Sequence, residues 1–260
     1  MKISKNGVLT SVDAMDITED GKLIIPEGVE KIEKGAFDNL FIKSFMFELE
    51  IPGSLKKIED QNFCEMSALE TVAMAEGVEE IGNLAFTCCF NLREVNIPSS
   101  VKKIGTYAFA ECPSLEEISL PELSVIEPRT FLNCSSLKRI DIPASVEYID
   151  REAFKGCDDL KEVNFAENGN LKFLVISAFE DCESLKELDV PPTIDTLFLL
   201  GSLEGCRSLE TFRLPAPENL LCVNCTMGEK KESDISAFLP ENTELVRYKK
   251  SAEVGGRNKN

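Results

Sequence analysis

The side chains in this chain that could do chemistry are thiols and carboxylates, because it contains no histidine. Without imidazole there is no Ser-His-Asp triad, no Cys-His pair, no histidine-ligated zinc or haem, and no imidazole general base. Ten cysteines remain. Cys222-Val-Asn-Cys225 is the one C-x-x-C spacing, and zinc would need two more ligands that neither a second such pair nor a histidine supplies. A thioredoxin-type redox pair would require a helix N-terminus after a strand in a βαβ setting, so two neighbouring thiols in a terminal cap is the simpler reading. Gly77-x4-Gly82 has the glycine spacing of a phosphate loop, but Asn83 stands where lysine is required. Asp and Glu number 46 against 28 Lys and Arg, so carboxylate pairs abound and none stands out as an acid-base couple. The residue types point away from an enzyme and imply no cofactor and no metal.

Six of the thiols are periodic. Cys89, Cys112, Cys134, Cys157, Cys182 and Cys206 each follow by three residues a large apolar side chain: Phe86, Phe109, Phe131, Phe154, Phe179 and Leu203. Leucine follows three residues after each thiol, and Ile, Leu or Phe stands five before each aromatic position. Corners at Pro26, Pro52, Ala75, Pro98, Pro121, Pro143, Ala166, Pro191, Pro215 and Pro240 return every 22 to 26 residues. That period fits the ~20–29 residues of leucine-rich repeats rather than the ~33 of ankyrin units. The spacing of Ala153, Phe154, Cys157 and Leu160 predicts one face of a short helix. Leu137-x-x-Ile140-x-Ile142-Pro143 alternates as a strand with one buried side, and Val146-x-x-Ile149 turns the chain back.

A unit this short cannot bury its own apolar face, so successive units must stack at the ~4.8 Å spacing of parallel strands. The predicted fold is an α/β leucine-rich repeat solenoid, with a parallel sheet on the concave face and short helices or turns on the other side. Like positions meet in neighbouring coils, which makes the Phe and Cys columns structural ladders. Adjacent thiols would lie within disulfide reach, but inward packing favours plain thiols. Cys88 falls outside the ladder and is a candidate reactive thiol. The expected organisation is an N-terminal cap over 1–22, a solenoid of about eight units over 23–215, a capping coil over 216–250 and a disordered tail over 251–260. In the capping coil, Ala237–Pro240 mimics a strand corner and Glu241–Tyr248 is expected to be a short helix.

The series Pro98-x-x-Val101-x-x-Ile104-Gly105-x-x-Ala108-Phe109-x-x-Cys112-x-x-Leu115-x-x-Ile118, repeated over 143–166, resembles the BspA-like class of leucine-rich repeats of bacteria and protists. The resemblance covers about residues 23–215. It implies a non-catalytic adhesion or interaction module of surface type, possible contact with host proteins included.

A net charge of −18 repels phosphate backbones and anionic lipid, so nucleic-acid binding is disfavoured. No apolar run reaches the ~18–20 residues of a membrane span. The N-terminus shows no secretory signal, which leaves a cytoplasmic location, or export if a leader was removed. The outward residues of the long strands form two ladders, through Glu94, Glu117, Arg139, Glu162 and Glu187, and through Asn96, Ser119, Asp141, Asn164 and Asp189. They read either as an acidic groove for a basic protein or peptide, or as a solvated face that keeps the rod soluble. Glycan or matrix adhesion at a cell surface is the alternative function. Phe41, Phe45 and Phe47 lie in an apolar-rich segment between Phe37 and Pro52 that is three residues longer than in other units, either as an exposed docking patch or as a seal for the cap. Sequence leaves the oligomeric state open.

Overall fold

The computed structural model describes residues 1–199, 201, 203, 205–215, 221–223 and 235–248, with backbone alone at 221–223, 236, 237 and 248. Every coil has three sides. The alternating segments form the first side, a parallel sheet. Lys22–Ile24, Glu48–Ile51, Thr71–Met74, Glu94–Asn96 and Glu117–Ile118 make five paired strands. Arg139–Ile142 then pairs with Glu162–Phe165, and Glu187–Asp189 with Thr211–Pro215 and Glu244–Tyr248. Register is strict, so Leu49, Val72, Val95 and Ile118 align and are all buried. A shift of one residue would turn each of them to solvent.

The second side is also a parallel sheet. Lys57–Ile58, Glu80–Ile81 and Lys103–Ile104 form one stretch, and Val125–Ile126, Tyr148–Ile149, Phe173–Val175, Thr196–Phe198 and Leu221–Val223 another. Most of these strands are two residues long, too short for alternation to register in sequence, and the expected turn at Val146–Ile149 is one of them.

The third side carries the main correction to the expected fold. The predicted helices through Ala153, Phe154 and Cys157 and their counterparts are absent; these segments are turns. Among the described residues Leu40–Phe45 is the one α-helix, with short 3-10 turns at Ala14–Asp16, Ile176–Phe179 and Ile235–Phe238. The fold is therefore a β-solenoid, and α/β overstates its helix. From Phe63 to Phe154, left-handed residues flank each buried aromatic of the column two positions away on both sides: Leu84 and Cys88 around Phe86, Tyr107 and Glu111 around Phe109, Arg129 and Asn133 around Phe131. A right-handed helix cannot accommodate them, and each costs about 1–2 kcal/mol in a residue with a Cβ. The compensation is a ladder between coils. Tyr107, Phe109 and Glu111 donate their N–H groups to Pro128, Thr130 and Leu132 of the next coil at 3.2, 2.9 and 2.7 Å. Alternating handedness aims every second donor along the stack, so buried backbone groups are satisfied without a helix.

Inside, Phe63, Phe86, Phe109, Phe131, Phe154 and Phe179 stack with centroids 5.3–5.7 Å apart and planes within 17° of parallel. The excess over the ~4.8 Å coil spacing is sideways offset, the arrangement that ring quadrupoles favour. The thiol column does more than fill space. Cys89, Cys112, Cys134, Cys157, Cys182 and Cys206 donate to the carbonyls of Phe63, Phe86, Phe109, Phe131, Phe154 and Phe179 in the preceding coil, at 3.0–3.3 Å. All six are free thiols and buried. At Gly105 a Cβ would come within 2.7 Å of the Asn83 backbone nitrogen. The close approach lets Asn83 Oδ1 accept the Thr106 N–H at 3.0 Å.

The last coil differs from expectation in detail. Glu244–Tyr248 is a strand opposite Thr211–Pro215 rather than a helix, and Ile235–Phe238 is a 3-10 turn rather than a strand corner. Pro240 precedes the strand, on the turn side, and Tyr248 stands opposite Pro215. Leu245 packs against the core edge. The expected tail over 251–260 lies outside the described residues.

Candidate functional site

Outward residues of the first sheet lie in the expected register. Glu48, Thr71, Glu94 and Glu117 are successive partners, as are Arg139 and Glu162, Asp141 and Asn164, and Asp189 and Arg213. Ser119 is exposed just beyond the end of its strand. Cations neutralise parts of this face. Lys22 Nζ lies 2.5 Å from Glu50, whose hydrogen bond raises the lysine above its ordinary value. Arg213 sits 2.8 Å from both Glu187 and Asp189. Arg139, expected between Glu117 and Glu162, instead turns along its own strand to Asp141 at 2.9 Å. Burial opposes the Asp141 charge, but hydrogen bonds from Asn164 and Arg139 hold its carboxyl below the usual range. Among the described residues no cation lies within salt-bridge distance of Glu94, Glu117 or Glu162. A shallow groove of about 370 Å³ runs over Glu94, Asn96, Glu117 and Ser119.

Sequence reasoning did not anticipate that this sheet splits. The row of backbone bonds running through Arg93 to Glu70, Lys138 to Glu116, Lys161 to Lys138 and Glu210 to Lys186 skips the step from Lys186 to Lys161. The strands Glu162–Phe165 and Glu187–Asp189 are not paired. Behind them the second sheet continues unbroken from Tyr148 through Phe173 to Thr196. The coils thus splay on one side only, opening a cleft of about 750 Å³. Val163 and Phe165, whose counterparts Ile140 and Ile142 in the preceding coil and Leu188 and Val190 in the next are buried, are half-exposed in it. The signal in sequence was the 25-residue step from Ala166 to Pro191, which places extra residues at the corner beside the cleft.

The insertion in the first unit is divided. Ile42 and Met46 are fully buried and seal the core, whereas Leu40, Phe41, Phe45 and Phe47 are 79%, 43%, 50% and 37% exposed. Asn39 caps the short helix by accepting the Phe41 N–H, and the Phe41 and Phe45 rings stack at 4.5 Å.

Burial pushes the thiols of Cys89, Cys134, Cys157 and Cys182 up, and that of Cys206 to about 12, so these are protonated donors rather than thiolates. Cys88 and Cys64, the latter not singled out in sequence, are partly exposed, and burial raises both thiols. Cys225 lies outside the described residues. Among those described, no group of three or more Cys, Asp or Glu side chains is placed to hold a metal, and no helix is long and apolar enough to cross a membrane.

Comparison with known proteins agrees with this architecture. A leucine-rich repeat protein of T. pallidum (TpLRR) superposes with a TM-score of 0.57 at 25% identity, over 76% of this chain and 90% of that one. A leucine-rich repeat protein from Eubacterium ventriosum gives 0.54 at 21% identity, over 67% and 56%. No curated protein matches the chain. The family described as BspA type leucine rich repeat region, in six copies, matches residues 38–157 and 124–227. With its Phe, Cys and Leu columns running through those spans, the chain belongs to the BspA-type leucine-rich repeat family.

Proposed function

We propose that this protein is a non-catalytic binding scaffold that engages a basic segment of a protein partner on the outward face of its first sheet. Leucine-rich repeat folds are typical protein-interaction scaffolds. The observation that carries the finer reading is the alignment of Glu94 directly opposite Glu117 without a salt-bridging cation. Like charges opposed across a strand pair destabilise by up to about 1 kcal/mol. A cationic partner would relieve that repulsion on binding. Elsewhere on the same face Lys22, Arg139 and Arg213 already neutralise their neighbours, which confines the available negative charge to Glu94, Glu117 and Glu162.

The test is titration of the protein with a fluorescent lysine- and arginine-rich peptide at increasing salt. Affinity should fall steadily with ionic strength, and the triple variant E94Q/E117Q/E162Q, which removes the opposed charges, should abolish binding while melting at or above the wild-type temperature. Salt-independent binding, or a triple variant that binds as well as wild type, removes the acidic face from the function.

A further inference from the structure

The splay between Glu162–Phe165 and Glu187–Asp189 has a composition unlike the rest of the face. At one end Lys161 and Lys186 stand on adjacent coils, and no carboxylate comes within salt-bridge distance of either ammonium. The Lys186 N–H, whose equivalents at Glu70, Arg93, Glu116, Lys138, Lys161 and Glu210 bond to the preceding coil, has no such bond. Three donors thus gather at the mouth of the gap with nothing anionic to receive them. Next along the strand comes Glu162, exposed and without a salt bridge, and beyond it the half-exposed Val163 and Phe165, with Pro191 and Pro192 on the far wall. From Lys161 to Phe165 the cleft spans four residue steps, about 13 Å. That is the reach of a short extended peptide.

We infer that this cleft receives the C-terminal end of a polypeptide partner, and the inference rests on the scaffold reading above. The terminal carboxylate meets Lys161, Lys186 and the free N–H, the last apolar side chain rests on Val163 and Phe165, and a basic residue upstream faces Glu162. Charge decides among occupants. A wholly basic segment would leave the two lysines opposed to it, and an apolar molecule would leave all three donors unpaired in a more desolvated site, a cost of about 1–3 kcal/mol per group. Two ammonium groups carried on adjacent coils repel, and a carboxylate between them reverses the sign of that interaction.

The experiment compares three fluorescein-labelled basic decapeptides by anisotropy on the full chain: one ending in leucine with a free carboxylate, the same peptide amidated, and one ending in glycine with a free carboxylate. The leucine acid should bind at least 10-fold more tightly than either relative. The double variant K161Q/K186Q should lose the distinction between acid and amide, and F165S the distinction between leucine and glycine. Equal affinity of the acid and amide for wild-type protein, a comparison that needs no variant to fold, overturns the inference. If all three peptides then bind equally with strong salt dependence, the scaffold reading survives and only the cleft assignment falls. If none binds, both fall.

Discussion

At the scale of single residues, the thiol column is the most informative feature. Its regular spacing was plain in the sequence, and burial follows from the repeat. What spacing could not show is the bond from each thiol to the aromatic residue's carbonyl one coil back. A valine would fill similar volume but leave that carbonyl short of a donor. Cys134→Ala should therefore cost about 1–3 kcal/mol in urea unfolding, combining the lost bond with a small void; an unchanged midpoint would reduce the thiol to a spacer. Phe109→Ala, which removes a ring stacked on both faces, should cost more, about 3–5 kcal/mol. In native protein, Cys64 and Cys88 should react with a thiol reagent before the six ladder thiols, which should label only on unfolding. The Glu152 carboxyl lies below its usual value because Arg129 bonds it, with burial opposing. Its contribution is present above the ordinary glutamate range near pH ~4.3 and disappears as pH falls through the depressed value. Glu152→Gln should accordingly flatten part of the loss of stability below pH ~4, as read from acid melts.

The element scale shows where sequence patterns mislead. Ala153, Phe154, Cys157 and Leu160 have helical spacing, yet the same spacing serves a pair of turns whose left-handed residues bracket the aromatic. Hydrophobic periodicity reports which side chains go inward and does not distinguish bonds within a coil from bonds between coils. Glu152 and Gly156 decide the matter for this unit, with φ of 57° and 70°, and neither residue type announces it. Most strands of the first sheet were legible because they are long enough to alternate; Lys103–Ile104 and its neighbours were not. The conformational requirement is testable at Asn133, where φ is 58°. Asn133→Gly should be close to neutral, whereas Asn133→Val should destabilise by about 1–2 kcal/mol in denaturant titration. The Asp60–Asn83–Thr106 series of side-chain-to-backbone bonds makes a separate demand. Gly105→Ala should cost about 1–3 kcal/mol, since the added methyl meets backbone that cannot move aside.

For the whole molecule, stability is close to a sum over neighbouring coils, so the ends carry special weight. Phe212 and Leu214 are fully buried beneath the final strand. A chain ended after Pro215 should expose them and aggregate in light scattering, while keeping the far-UV spectrum of parallel strands. The splayed cleft shows the limit of reading such a molecule from its sequence. A 25-residue step can be seen; that it opens the first sheet while leaving the second intact depends on how the extra length is distributed around the corner at Ala166.

On the turn side, Leu84, Phe86 and Cys88 bond forward to Thr106, Ala108 and Ala110, just as their counterparts do in the two coils that follow. Since each tier asks of its successor only three carbonyls at fixed height, a tier could be excised or copied without rewriting those around it. Lengthening such a rod is then a matter of duplication, and the reach of its binding face can change by increments of one strand spacing while the chemistry of every existing rung stays as it was.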